Sequence, residues 1–494
     1  MTADKSSMDA ANRQGLLRIT PAMVVAARKA HEAAVKAAAK GTAKEPPKGG
    51  AEEIFKAALD QHYKGKLEDA VQGYGRALAI NPRHVGSHNC MAAALRQQGK
   101  LDAAIACYKQ SLVIQPNDPS AQSCLGDVLR EAGHLGPSLI AHQRAVKMKP
   151  LLPEAIYRMG LALRDLGQAT SAVSCFEKAL LMKPDFVDCR YAHALSLLRI
   201  GEYKKGFVEF EWRWKLPGNR PRRYKQPLWD GSDLTGRTIL LHQEQTFGDM
   251  IQFIRYALPV KKKGGAVVVE CQPELARLFL TAPGVDKVVS TGDALPDFDV
   301  YAPMLSLPRI LKTTMATIPA DIPYLSRPVN HDIHIPVPKG VRLMVGIAWS
   351  GSPANAYDRH RSCPLDGLLR LLSRAGIAVY SLQKGEAAGQ LAESAHGPLV
   401  ADLGGSIHDF ADTAAIISQL DLIITVDTAA AHLAGAMGHP VWVLLPFSAG
   451  WRWLGECDES PWYPGDRLFR QSRPGRWEDV FADVEKALTK LLGG

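Results

Sequence analysis

A carboxylate that opens a helix just beyond a buried strand is well placed to accept a proton, and the segment Thr238 to Phe253 has that form. The apolar run ending at His242 reads as a strand and Gln243 to Phe247 as a polar loop, with Gly248 and Asp249 at the helix start. Pattern alone leaves Asp249 between a helix N-cap satisfied by backbone amides and a general base on an incoming hydroxyl. A second constellation runs from the strand Leu422–Val426 into Asp427-Thr428-Ala429-Ala430-Ala431-His432. A helix N-terminus offers free amides and the positive end of its dipole to phosphate oxygens, and a run of alanines permits close approach. Thr428 adds a hydroxyl, and His432 follows one helical turn later on the same face. No Walker A or dinucleotide fingerprint accompanies them, so phosphate binding rests on helix geometry. The third is Trp349-Ser350-Gly351-Ser352-Pro353, continued by Asp358-Arg359-His360-Arg361-Ser362. Its Gly and Ser suit a loop that approaches phosphate, and Arg361 is either a diphosphate clamp or an exposed loop arginine.

Two series of short apolar runs must position these residues: Thr238–His242, 266–271, 287–290 and 299–301, then 341–349, 377–382, 422–426 and 441–445. Alternating with helical segments, they predict two Rossmann-like lobes joined near Pro328 to Lys339, with ligands in the cleft beyond the strand ends. Upstream the chain repeats itself. Gly65, Gly99, Gly133, Gly167 and Gly201 stand 34 positions apart, as do Pro82, Pro116, Pro150 and Pro184. Small residues recur at Ala70, Ala104, Ser138 and Ala172, and bulky ones at Tyr74, Tyr108, His142 and Phe176. Trp212 and Trp214, where the pattern ends, are expected to cap the last helices against the next domain. Thr20 and Pro21 suit a helix start within an Ala- and Lys-rich arm.

The 494 residues, 46% hydrophobic and 22% charged, exceed one growing core and predict several domains. A net charge of +9 suits an anionic ligand. With neither zinc-ligand spacing nor an RNP-like aromatic motif, nucleic acid is not expected as a partner. The eight cysteines are dispersed and read as reduced thiols. No apolar stretch approaches a signal h-region or a transmembrane segment, which predicts a cytoplasmic protein.

The 34-residue register resembles the tetratricopeptide repeat over about 51–214, a solenoid whose concave face suits a protein partner or, more simply, serves as a spacer or dimerisation arm. The asparagine ladder of repeat-bearing O-GlcNAc transferases is missing, with Lys56, Cys90, Cys124, Arg158 and Ala192 at the corresponding inner positions. Residues 210–485 resemble glycosyltransferase family 9, the heptosyltransferase-like GT-B enzymes, and more closely its repeat-bearing relatives. The resemblance implies Asp249 as catalytic base beside Gly248, with Gln243 on the acceptor side. It further implies a donor diphosphate held by Asp427, Thr428 and His432, with Ala429 where the family has Gly. Trp349, Gly351, Arg361 and Ser362 join them on the donor side, and Gln383 and Lys384 are expected near the nucleoside. The implied organisation is an N-terminal arm (1–50), an all-α repeat superhelix (51–214) and an α/β GT-B fold with acceptor-side (215–330) and nucleotide-sugar-side (331–494) lobes.

The expected activity is inverting, metal-independent transfer from a nucleotide-sugar, itself a substrate and not a cofactor, to a protein acceptor, for instance a flagellin-like one. A lipopolysaccharide-type acceptor, a non-catalytic scaffold and a nucleotide-sugar epimerase are the alternatives.

Overall fold

The computed structural model describes residues 50–329, 333–351, 361–455 and 457–493, and the chain divides into two compact units, Met1–Ala192 and His193–Gly494. The expected helix beginning at Thr20 and the Ser352 to His360 part of the third constellation lie outside the described residues.

The first unit is a series of helix pairs: α1 (Ala51–Tyr63), α2 (Leu67–Ile80), α3 (Val85–Gln97), α4 (Leu101–Ile114), α5 (Pro119–Glu131), α6 (Leu135–Met148), α7 (Pro153–Asp165) and α8 (Ala169–Met182). The repeated glycine explains why each first helix stops. Gly99 adopts φ +74°, its N–H reaches the Arg96 carbonyl at 2.9 Å and the Lys100 N–H reaches that of Leu95 at 2.9 Å. This is a Schellman turn, which favours a residue with no Cβ. The bulky repeat position fills each pair: Tyr74, His142 and Phe176 are 0% exposed and Tyr108 4%. A small partner makes room, since a Cβ on Gly160 would lie 2.5 Å from the Phe176 ring. Each buried ring contributes roughly 1.5–3 kcal/mol.

α9 (Val187–Arg199) crosses the division, and α10 (Tyr203–Phe210) belongs to the second unit. The compact boundary thus falls earlier than residue 214. The reason is aromatic burial: Tyr203 and Phe207 pack against Trp451 and Trp462, and the Trp462 indole N–H donates to the Tyr203 hydroxyl at 3.0 Å. Trp212 and Trp214 are only half-buried, while Arg213 between them is 1% exposed. Arg213 donates to Glu244 at 2.9 Å, Glu211 at 2.7 Å and Ser306 at 2.8 Å, so the buried knot expected of the tryptophans is built around the arginine.

Two parallel sheets follow, the two Rossmann-like lobes of a GT-B fold. The first has the order β3-β2-β1-β4, with β1 (Thr238–His242), β2 (Ala266–Cys271), β3 (Lys287–Ser290) and β4 (Val300–Pro303). The second has the order β10-β9-β8-β5-β6-β7, with β5 (Leu343–Ala348), β6 (Ile377–Ser381), β7 (Val400–Asp402), β8 (Leu422–Val426), β9 (Val441–Leu445) and β10 (Arg467–Arg470). β7 and β10 extend the sheet beyond the strands expected from sequence. All of β5, β8 and β9 are buried, as parallel strands covered on both faces require. Strand order reverses beside β1 in one sheet and between β5 and β8 in the other, which sets the loops after these strands at the switch-point crevices.

Candidate functional site

α11 (Phe247–Phe253) follows β1, and α12 (Ala429–Ala436) follows β8. The two helices pack on each other across the lobes. Gly248 permits the approach, because a Cβ there would come within 2.8 Å of the His432 ring.

Asp249 is not the N-cap. Thr246 takes that position, and Asp249 is the third residue of a capping box. Its Oδ2 accepts from the Thr246 N–H at 3.0 Å and from the Thr246 hydroxyl at 2.6 Å. Its Oδ1 pairs with Arg452, from the turn after β9, which also donates to the Gln252 side chain and lies over the Trp451 ring at 4.5 Å. Asp249 is buried at 6% exposure. Sequence reasoning missed Arg452. The one local signal is its place between Trp451 and Trp453, two tryptophans that here pin the turn.

His432 is 5% exposed, stacks on Trp453 at 5.4 Å and 17°, and meets the Tyr463 hydroxyl through Nδ1 at 2.9 Å. Its Nε2 lies 3.8 Å from Asp427 Oδ1. Burial drives its pKa well below the ordinary histidine value, and the charges of Arg452, Arg255 and Arg361 push the same way. The ring is therefore uncharged at neutral pH. His432 Nδ1 and the Tyr463 hydroxyl share one hydrogen bond, and Tyr463 is bonded in turn to Tyr324.

Thr428 is the N-cap of α12, yet its side chain caps no amide and instead meets the Thr425 hydroxyl at 2.9 Å. Ala429 follows at the first helical position, half-buried. The loop after β5 is held from behind. Gln383 Oε1 accepts from the Trp349 and Ser350 N–H groups, each at 3.0 Å, and its Nε2 donates to the Ser350 carbonyl at 3.1 Å. Trp349 is 0% exposed within the lobe's apolar core, and its indole donates to Gln390 at 2.7 Å. Lys384 Nζ donates to the Gly404 and Ile407 carbonyls at 2.8 Å each. Trp349, Gln383 and Lys384 thus make scaffold bonds, leaving Gly351, Arg361 and Ser362 as the half-buried members of that loop. Ser362 meets Ser350 at 3.1 Å.

Gln243 lines a separate polar cavity at the end of β1, with Arg213, Arg220, Arg222 and His242. Glu244 also borders it, but both its oxygens are taken by Arg213, and the Leu305 N–H donates to Oε1 as well, at 3.1 Å. Among the described residues no group of three or more His, Cys, Asp or Glu is placed to hold a metal ion.

Comparison with known proteins assigns the class of each part. Residues 366–445 match glycosyltransferase family 9 (heptosyltransferase), and residues 92–133 and 153–186 match tetratricopeptide-repeat profiles. The chain combines tetratricopeptide repeats with a glycosyltransferase family 9 domain. It is similar to Protein FlbA of Caulobacter vibrioides, 26% identical over 327 residues that take in 58% of this chain and 53% of that protein. The chain spans about half the length of that curated relative. Solved structures similar to it include MamA from Desulfovibrio magneticus RS-1, 19% identical with a TM-score of 0.32 over 34% of this chain and 97% of that one. A thermophilic TPR protein in Thermus thermophilus is 18% identical with a TM-score of 0.30 over 34% of this chain and 92% of that one. No helix among the described residues is long and apolar enough to cross a membrane.

Proposed function

We propose that this chain transfers a glycosyl group, with inversion and without a metal ion, from a nucleotide-sugar to a hydroxyl of a protein acceptor recruited by the repeats. The observation that supports this best is the packing of α11 on α12, which brings a fixed carboxylate and the uncapped start of a helix to one seam between the lobes. Arg452 and Thr246 orient Asp249 through its two oxygens; Oδ2 is filled by the Thr246 N–H and hydroxyl, and Oδ1 keeps a second lone pair for an acceptor hydroxyl. In the step proposed, the acceptor oxygen attacks the anomeric carbon and passes its proton to Asp249 as the bond to the diphosphate breaks. The amides of Ala429 and Ala430, the Thr428 hydroxyl and the Arg361 guanidinium receive the leaving diphosphate, with the His432 ring beside them. Arg361 supplies the permanent charge there.

The test is calorimetric titration of the full chain with UDP, GDP, ADP, CMP and dTDP. At least one should bind, and Thr428→Val should weaken it about tenfold or more, the worth of one hydrogen bond to a charged group. An affinity untouched by Thr428→Val would remove the diphosphate from the start of α12.

A further inference from the structure

The four helix pairs α1 to α8 do not fill their interiors alike. At the position of Tyr74, Tyr108 and Phe176 the third pair, α5 with α6, carries His142. Where the others have Ala70, Ala104 and Ala172 it has Ser138, and where they have Leu59, Ala93 and Leu161 it has Asp127. All three polar side chains are buried, and they are unevenly satisfied. Ser138 donates to the Gly126 carbonyl at 2.7 Å. His142 Nδ1 lies a long 3.4 Å from the Ser123 hydroxyl, and its Nε2, 3.6 Å from Asp127, forms no hydrogen bond. Burial drives the His142 pKa down to about 3, so no charge on the ring answers the carboxylate. Burial likewise lifts the Asp127 carboxyl above the ordinary aspartate value, although Arg158, Arg96 and Arg130 all pull it down. A half-satisfied polar interior holds its elements less firmly than an apolar one.

The apolar core breaks at the same place. One cluster runs from Ala58 to Ala141 and another from Ile156 to Ala192, and α6 serves both, with Ala141 in the first and Leu139 and Val146 packed against the second. Across the break the third and fourth pairs are joined by ion pairs, Arg158 with Asp127 at 3.3 Å and Arg130 with Asp165 at 2.8 Å, whose arginines stay partly open to water. Such contacts tolerate a change of angle better than interlocked apolar side chains do. The stability of a repeat array is a sum over its repeats and their nearest-neighbour interfaces, so one weak interface divides it.

We propose that the third pair is a joint in the solenoid, dividing it into two blocks that open separately and change their mutual angle as the concave face closes on a protein partner. The joint itself needs neither donor nor acceptor. Its use in recruiting a partner rests on the proposed function.

Native-state hydrogen exchange of the full chain in rising urea tests the joint. The amides of α1 to α4 and those of α7 and α8 should lose protection at midpoints about 0.5 M or more apart, the gap that a tenfold weaker coupling gives at the usual urea slope. One common midpoint for all these helices would overturn the proposal. His142→Phe then asks whether the polar interior is the cause. The variant has room, because Gly126 faces the His142 ring as Gly160 faces Phe176: an added Cβ would lie 2.6 Å from the first ring and 2.5 Å from the second. It replaces an unpaired buried nitrogen by apolar surface and should bring the two midpoints together. A gap that His142→Phe leaves unchanged or widens would equally overturn the joint, since the blocks would then differ for a reason other than the interior of the third pair. Exchange in the ligand-free chain is read without any nucleotide, so failure of the transferase reading is told apart from failure of this one.

Discussion

Asp249→Asn is the informative substitution, because the position of Asp249 makes the amide a poor substitute even for stability. An asparagine oxygen can still accept from Thr246, but its NH₂ then faces the Arg452 guanidinium, two donors with nothing between them. Removing one partner of a fully buried ion pair costs about 3–5 kcal/mol. Arg452 keeps 17% side-chain exposure against 8% for Asp249, so water relieves part of the loss. A cost of about 2 kcal/mol is expected. That lowers the melting temperature of the second unit by roughly 4–8 °C. If Asp249 is also the base, transfer falls about a hundred- to ten-thousand-fold, far more than the fraction unfolded explains. The double-mutant cycle with Arg452→Gln separates the two roles. Urea unfolding of the four proteins should give a coupling of about 1–2 kcal/mol, while turnover should depend chiefly on residue 249. A coupling below about 0.5 kcal/mol would mean that the pair does not join the lobes. Near-normal turnover in Asp249→Asn would leave the base unassigned, and the obvious substitutes are poor: Glu244 is committed to Arg213, and burial holds the pKa of His242 down to about 4, which makes it a weak base.

Transfer should survive EDTA, assayed with and without added magnesium; loss restored by magnesium refutes metal independence. Deleting residues 51–184 leaves α9 and α10 with the catalytic unit and should reduce modification of the native acceptor more than donor hydrolysis, whereas equal losses would make the repeats a structural support. Burial lifts the Asp466 carboxyl to about 8, and its Oδ2 has no hydrogen-bond partner. A carboxyl raised in the folded state keeps its proton while the unfolded chain loses it, so its contribution to stability is present below about pH 4 and is lost as pH rises towards 8. Asp466→Asn should therefore gain stability over wild type progressively from about pH 4 to pH 8 in urea unfolding, and a gain independent of pH would show that Asp466 ionises normally.

What the sequence discloses depends on how local the determining contact is. The repeats are legible because the glycine-terminated turn and the ring-in-gap packing recur with a fixed period, and β1, β5, β8 and β9 because their apolar runs are continuous. β7 escapes notice as a three-residue strand, and β10 because arginines stand at both its ends. The capping role of Thr246 is readable, since Thr246-Phe247-Gly248-Asp249 has the S/T-x-x-acid form, and only attention to Asp249 alone suggests an N-cap there. Gln383 looks in sequence like a strand-end residue free to meet a ligand. Its side chain instead ties two loops together, a pairing that no local pattern encodes. Arg452 is the extreme case: its partner Asp249 lies in the other lobe, and nothing in the turn between Trp451 and Trp453 points to a carboxylate so distant in sequence.

The placement of charge around His432 carries the chemistry one step further. A histidine beside a leaving diphosphate invites the reading of a cation that becomes neutral as pH rises. Here the ring is enclosed by Trp453, bonded to Tyr463 and surrounded by three guanidiniums that oppose its protonation. The positive potential at the seam then belongs to arginines, which do not titrate in any useful range. A seam built this way holds its electrostatic character constant through neutral pH. An acid limb in the transfer rate near pH 6 would therefore have to arise from a group other than His432, because a ring that stays neutral through that range takes up no proton as the pH falls.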